Sequence, residues 1–145
     1  MRFSGPYAWP RQKDLMVSTS LAGCSILVVE DEPLIALDIA HTFEDVGAQV
    51  VAVTSLRSAL VAVEKGGLSA AILDHALGDG DSSRLYGRLN ERSIPFVIYS
   101  GYAEIGGLGP LGVHLAKPAS PDVLVSTVER LLRSPASEGL RSWQG

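Results

Sequence analysis

The chain has 145 residues, 46% of them hydrophobic, with 12 basic and 16 acidic side chains and a net charge of -4. That length suits one domain able to bury about 68% of its unfolded surface, and a single cysteine, Cys24, forbids an intrachain disulfide and fits a reducing cytoplasm. The short apolar runs exclude a membrane-spanning helix, and the acidic balance without any Lys/Arg cluster excludes a strongly basic nucleic-acid binder.

Residues 1–23 mix Gly5, Pro6, Pro10 and a serine-threonine run with scattered charge and show no period, so a flexible N-terminal tail is expected. Arg2, Arg11 and Lys13 are followed by no apolar stretch, which argues against a secretory leader. Residues 24–133 form the expected domain, with eight basic and fourteen acidic side chains and a charge near -6. Continuous apolar runs at 26–29, 50–53, 70–73, 96–99 and 113–116 predict strands covered on both faces, as in a parallel sheet.

Helical spacing fills the gaps. Ile35, Ile39, Phe43 and Val46 predict a first helix, with Pro33 at its first position and Gly47 as its stop. Leu56, Ala59, Leu60 and Val63 predict a second, Leu85 and Leu89 a shorter third, and Leu124, Val128 and Leu131 the last. Between Ser100 and Val113 the chain holds five glycines and Pro110. Each interior glycine costs a helix about 1 kcal/mol and a proline about 3, so the fourth crossover helix is expected to be short or disordered. Residues 134–145 read as a C-terminal tail. The alternation implies an α/β fold with a doubly wound, five-stranded parallel sheet.

The polar residues collect at one rim of that sheet. Strand one runs into Glu30, Asp31 and Glu32; strand three ends at Asp74, strand four at Ser100, and strand five at Lys117-Pro118. Ligands of open parallel sheets bind at the carboxyl ends of strands. Two carboxylates about 5 Å apart repel by roughly 3 kcal/mol at an effective dielectric of 20, so the cluster calls for a cation. Oxygen-only ligands open to water favour a hard ion such as Mg²⁺. With a lysine nearby, such a rim tolerates an incoming phosphoryl group. Glu32 reads as a solvated residue at a helix start, Asp79 and Asp81 as turn and capping residues, and His41 and His75 as exposed side chains without metal-ligand partners.

The set Glu30-Asp31, Asp74, Ser100 and Lys117-Pro118, in register on strands one, three, four and five, resembles a response-regulator receiver domain of two-component signalling, over residues 24–133. The resemblance implies a flavodoxin-like fold with Asp74 as the phosphorylation site. Glu30, Asp31, Asp74 and the carbonyl of Ala76 would hold Mg²⁺. Ser100 and Lys117 would contact the phosphoryl group, and the bond before Pro118 would be cis. Two usual features are replaced: His114 stands at the aromatic switch position, and no Met-Pro follows Asp74. Tyr99-Ser100-Gly101-Tyr102 with the glycine-rich crossover resembles a divergent subset having a Phe-x-Thr-Gly-x-Tyr-like motif, in which Tyr102 would shield the phosphoryl group. His114 then reads either as a satisfied strand histidine or as a substitute switch.

The expected role is a cytoplasmic phosphoacceptor in a phosphorelay, not an enzyme. It would be loaded by a sensor histidine kinase or histidine phosphotransfer protein and would signal to a downstream protein target, without nucleic acid or membrane; a homodimer is left open. The competing reading is a receiver-like interaction scaffold that is never phosphorylated. A flavin-binding relative is disfavoured because carboxylates replace a phosphate loop after strand one, and an aspartate-nucleophile phosphatase because no Asp-x-Asp pair follows that strand.

Overall fold

A computed structural model of the protein describes residues 20–74, 82–101 and 107–133. The tails 1–19 and 134–145, together with His75, Ala76, Asp79, Asp81 and Tyr102, lie outside the described residues. In chain order the elements are β1 (Ser25–Val29), α1 (Pro33–Glu44), β2 (Gln49–Val53), α2 (Leu56–Lys65), β3 (Ala70–Leu73), α3 (Ser83–Glu91), β4 (Phe96–Ser100), β5 (Gly112–Ala116) and α4 (Pro121–Leu132). All pairings are parallel, and the strands lie in the order β2-β1-β3-β4-β5. This is the flavodoxin-like, doubly wound arrangement expected, with its switch point between β1 and β3.

The central strands β1, β3 and β4 are buried on both faces because their side chains alternate between two helical layers. Ile26, Val28, Ile72 and Val97 pack with Ile39 and Phe43 of α1 and Leu124 and Val128 of α4. Leu27, Val29, Leu73 and Ile98 pack with Ala59 and Val63 of α2 and Leu85 and Leu89 of α3. Helix starts follow local chemistry. Ser55 and Ser120 accept hydrogen bonds from the amides of Ser58 and Val123, and Pro33 and Pro121 open their helices.

Three expectations change. The two edge strands are not covered on both faces: β2 leaves Val51 39% exposed, and β5 is only half-buried with Ala116 exposed. In α1 the buried positions are Ala36, Ile39, Ala40 and Phe43, and Ile35 faces outward with Leu34 and Leu37. Two small alanines let the helix sit close to the sheet, which turns its apolar stripe by one residue. At the N-terminus, Leu21 is buried and its amide bonds the carbonyl of Val46, so packing reaches back before residue 24.

Among the described residues of the β4–β5 crossover, 101 and 107–111, no helix forms. Asn90 of α3 holds this segment instead. Its Nδ2 donates to the carbonyls of Tyr86 (2.9 Å) and Leu108 (2.7 Å), and its Oδ1 accepts from the amide of Leu111 (3.0 Å). Gly109, at φ +83°, has no room for a side chain because a Cβ there would meet the Asn90 amide. Gly112 is held as tightly, since a Cβ would lie 2.6 Å from the Phe96 ring.

Candidate functional site

The backbone ladder delivers three charged residues to one rim, and Asp31 follows Glu30 there. The Glu30 amide continues the β1–β2 ladder to Val53, and the Asp74 amide continues β3 to the carbonyl of Val29 (2.8 Å). On the far side, the Lys117 amide donates to the carbonyl of Ser100 at 2.8 Å, so β5 brings its lysine back beside β4. Glu30, Asp74 and Lys117 each sit one position past a strand, where the side chain leaves the sheet but has not reached open water, and Asp31, one residue further on, is exposed.

One oxygen from each of Glu30, Asp31 and Asp74 lies within 4.8 Å of the others. Glu30 is 3% exposed and Asp31 is open to solvent. Lys117 Nζ stands 3.5 Å from Glu30 Oε1 and 3.7 Å from Asp74 Oδ1, bridging the first and third strands. The Glu30 Oε2 accepts the amide of Glu32 at 3.1 Å, which fixes the carboxylate's orientation.

Burial pushes the Glu30 carboxyl above its ordinary range; the Glu32 amide opposes that, the Asp74 charge adds to it, and Lys117 offsets part of the rise. One ammonium is too little charge for three carboxylates. The donor set is all oxygen, closely spaced, and open to water on the Asp31 side, which fits a small hard cation such as Mg²⁺.

Ser100 ends β4 buried, and its Oγ lies 3.4 Å from His114 Nε2. His114 sits on β5 opposite Ile98, two residues before the Ser100–Ala116 pair, so its ring reaches the hydroxyl across neighbouring strands. The Lys117–Pro118 bond is cis, as expected. Glu30, Asp31, Asp74, Ser100, Lys117 and His114 therefore share one end of the sheet. Ala76 and Tyr102 lie outside the described residues. Glu32 is exposed at the N-cap of α1, and His41 lies exposed on that helix, as read from sequence. The residue preceding α3 is Ser82, although no side-chain cap bond forms there.

One participant was given no role by sequence reasoning. Tyr99 is 9% exposed, and its hydroxyl accepts the Ala119 amide at 2.9 Å, just past the Lys117–Pro118 pair. The available signal was the tyrosine itself: a buried phenol needs a partner for its hydroxyl.

No family model matches the sequence, and no curated protein matches it. Solved structures do. A response regulator receiver protein from Sinorhizobium medicae WSM419 superposes with a TM-score of 0.71 at 27% identity, over 77% of this chain and 96% of that one. The receiver domain of the Francisella response regulator 1452 gives a TM-score of 0.67 at 26% identity, over 76% and 97%. The receiver domain of a sensor histidine kinase from Pseudomonas aeruginosa PAO1, described with a magnesium ion coordinated in its active-site cleft, gives 0.69 at 24%, over 78% and 100%.

Proposed function

Starting from a chain that has the fold of response-regulator receiver domains, we propose that it is a phosphoacceptor of a two-component phosphorelay, loaded on Asp74 from a phosphohistidine donor. The observation that carries this reading is the convergence of Lys117 on Asp74 and Glu30 beside a third carboxylate, Asp31.

The chemistry follows from charge. An Asp74 oxygen attacks phosphorus, the bond from phosphorus to the donor imidazole nitrogen breaks, and its electron pair leaves with the imidazole. The product is a mixed anhydride on Asp74. The phosphoryl oxygens bring negative charge to a rim already crowded with carboxylates, so positioned positive charge is the main requirement. Lys117 supplies one such charge at the reacting carboxylate. Glu30, Asp31 and Asp74 would hold Mg²⁺, with the Ala76 carbonyl as a further expected ligand; the bound ion would neutralise the remaining acid charge. Ser100 Oγ stands ready to donate to a phosphoryl oxygen, and doing so would draw it from His114.

The donor needs a place to dock. Leu34 is 77% exposed and Leu37 50%, with Ile35 beside them, on the first turns of α1 directly after Asp31 and Glu32. Apolar side chains beside an acidic rim suit a helical donor protein that presents its histidine to Asp74. No helix among the described residues is long and apolar enough to cross a membrane.

The test is the intact mass of the protein after incubation with acetyl phosphate and Mg²⁺. The wild-type chain is expected to gain one phosphoryl group, and Asp74→Asn none. Equal gain by both proteins contradicts the assignment.

A further inference from the structure

We infer that Tyr99 is a positioning residue for Lys117: it fixes the lysine's loop from β4 and gives the ammonium a ring face to lie against. The use made of that position, phosphoryl uptake, rests on the phosphoacceptor reading of the site; the contact itself does not.

After Ala116 the chain leaves the sheet, and the next residues must hold a cation at a fixed place. The Lys117 amide is still in the ladder, donating to the carbonyl of Ser100. Pro118 has no amide hydrogen and contributes nothing as a donor. The next amide, that of Ala119, donates to the Tyr99 hydroxyl at 2.9 Å, and the same hydroxyl lies 3.4 Å from the Ala119 carbonyl, to which it donates. The loop is thus pinned on both sides of Pro118 by consecutive residues of one strand, Tyr99 through its side chain and Ser100 through its backbone.

The ring completes the arrangement. Lys117 Nζ lies 5.4 Å from the Tyr99 ring centroid, while its other neighbours are Glu30 Oε1 and Asp74 Oδ1. A lysine is a point charge on a flexible four-carbon stem, so a fixed ammonium needs a fixed surface beneath it. An aromatic face provides one and attracts the cation. Tyr99 can serve because it is buried in the core cluster that includes Leu124 and Val97. A side chain of equal size without the hydroxyl would fill the same space but leave the Ala119 amide without this acceptor.

If Tyr99 acts through Lys117, its effect must depend on the lysine being present; a packing role would not. The experiment is a cycle of the wild-type chain, Tyr99→Phe, Lys117→Ala and the double variant. The readout is the initial rate of mass gain from acetyl phosphate with Mg²⁺. A parallel arm measures acylation of Lys117 relative to Lys65 by an amine reagent, without phosphodonor or metal. Tyr99→Phe is expected to slow mass gain about fivefold, the size of one ordinary hydrogen bond, and to change nothing in the Lys117→Ala background. It is also expected to raise Lys117 acylation relative to Lys65, and Tyr99→Leu to raise it further. Equal slowing in both backgrounds, or an acylation ratio unmoved by Tyr99→Phe, overturns the assignment. Should the wild-type chain gain no phosphoryl group while Lys117 acylation still follows Tyr99, the phosphoacceptor reading fails and the positioning role stands.

Discussion

Two charge clusters in this molecule both set acids against bases, yet they behave in opposite ways. On the outer surface of α2 and α3, Glu64 meets Arg88 at 2.6 Å and Arg92 at 3.5 Å, and Arg88 also pairs with Glu91. There the hydrogen bond from Arg88 holds Glu64 below its ordinary range, and Arg88 is raised in turn, first by Glu64. At the rim, Glu30 is buried, shares one lysine with Asp74, and is raised. Balanced charge in water ties two helices together and asks for nothing more. Unbalanced charge half-removed from water is a cost to the fold, and on the proposed reading a cation and a phosphoryl group would offset it.

That contrast can be broken at several points. The largest effect is expected from Mg²⁺. At a concentration one hundredfold above its dissociation constant, the ion should stabilise the wild-type chain by about 2.7 kcal/mol in thermal or denaturant unfolding. Asp31→Asn should abolish most of that gain, whereas Arg88→Ala should keep it. A gain retained in Asp31→Asn would place the ion elsewhere.

A smaller effect is expected from pH. Glu30 has a folded-state pKa above its unfolded one, so between the two values the folded chain binds more protons than the unfolded. This contribution favours folding below the unfolded pKa and is lost as pH rises through the folded one. Stability of the metal-free chain should therefore fall over that window, and Glu30→Gln should remove the fall. The comparison is sharpened by Glu64, whose depressed pKa has the opposite sign: its contribution is lost as pH drops. An identical pH profile for wild type and Glu30→Gln would remove burial of Glu30 as the cause.

The smallest effect is expected on the surface. Arg88→Ala should destabilise slightly, and high salt should erase the difference, since exposed ion pairs contribute little and are screened. Its rate of phosphoryl uptake should match the wild type. A marked loss of uptake would mean that the two clusters are coupled.

How much of this was legible in the sequence depends on how local each cause is. Strand runs such as Ala70–Leu73 and the polar residues that end them could be read directly, because burial on both faces imposes continuous hydrophobicity and the rim breaks it. That Glu30, Asp31, Asp74, Ser100 and Lys117 gather at one rim followed from strand ends, while their roles came from the resemblance to receiver domains. Ile35 was misplaced because α1 carries two buried alanines that a count of large side chains overlooks. The exposure of Val51 was missed because strand order decides which strand is an edge, and a run of valines looks the same at the centre. Asn90 and Tyr99 act across 18 to 21 residues of separation through single polar atoms, and no periodicity reports such contacts.

The location of the phosphoryl group is the most direct test of Asp74 as the acceptor. Trapping the acyl phosphate with borohydride after loading, then sequencing peptides by mass spectrometry, reads that location. The rim described here predicts reduction of the Asp74 side chain to homoserine, and at no other acid. Homoserine at Asp31, or none in a chain that is folded and carries the added mass, would contradict it.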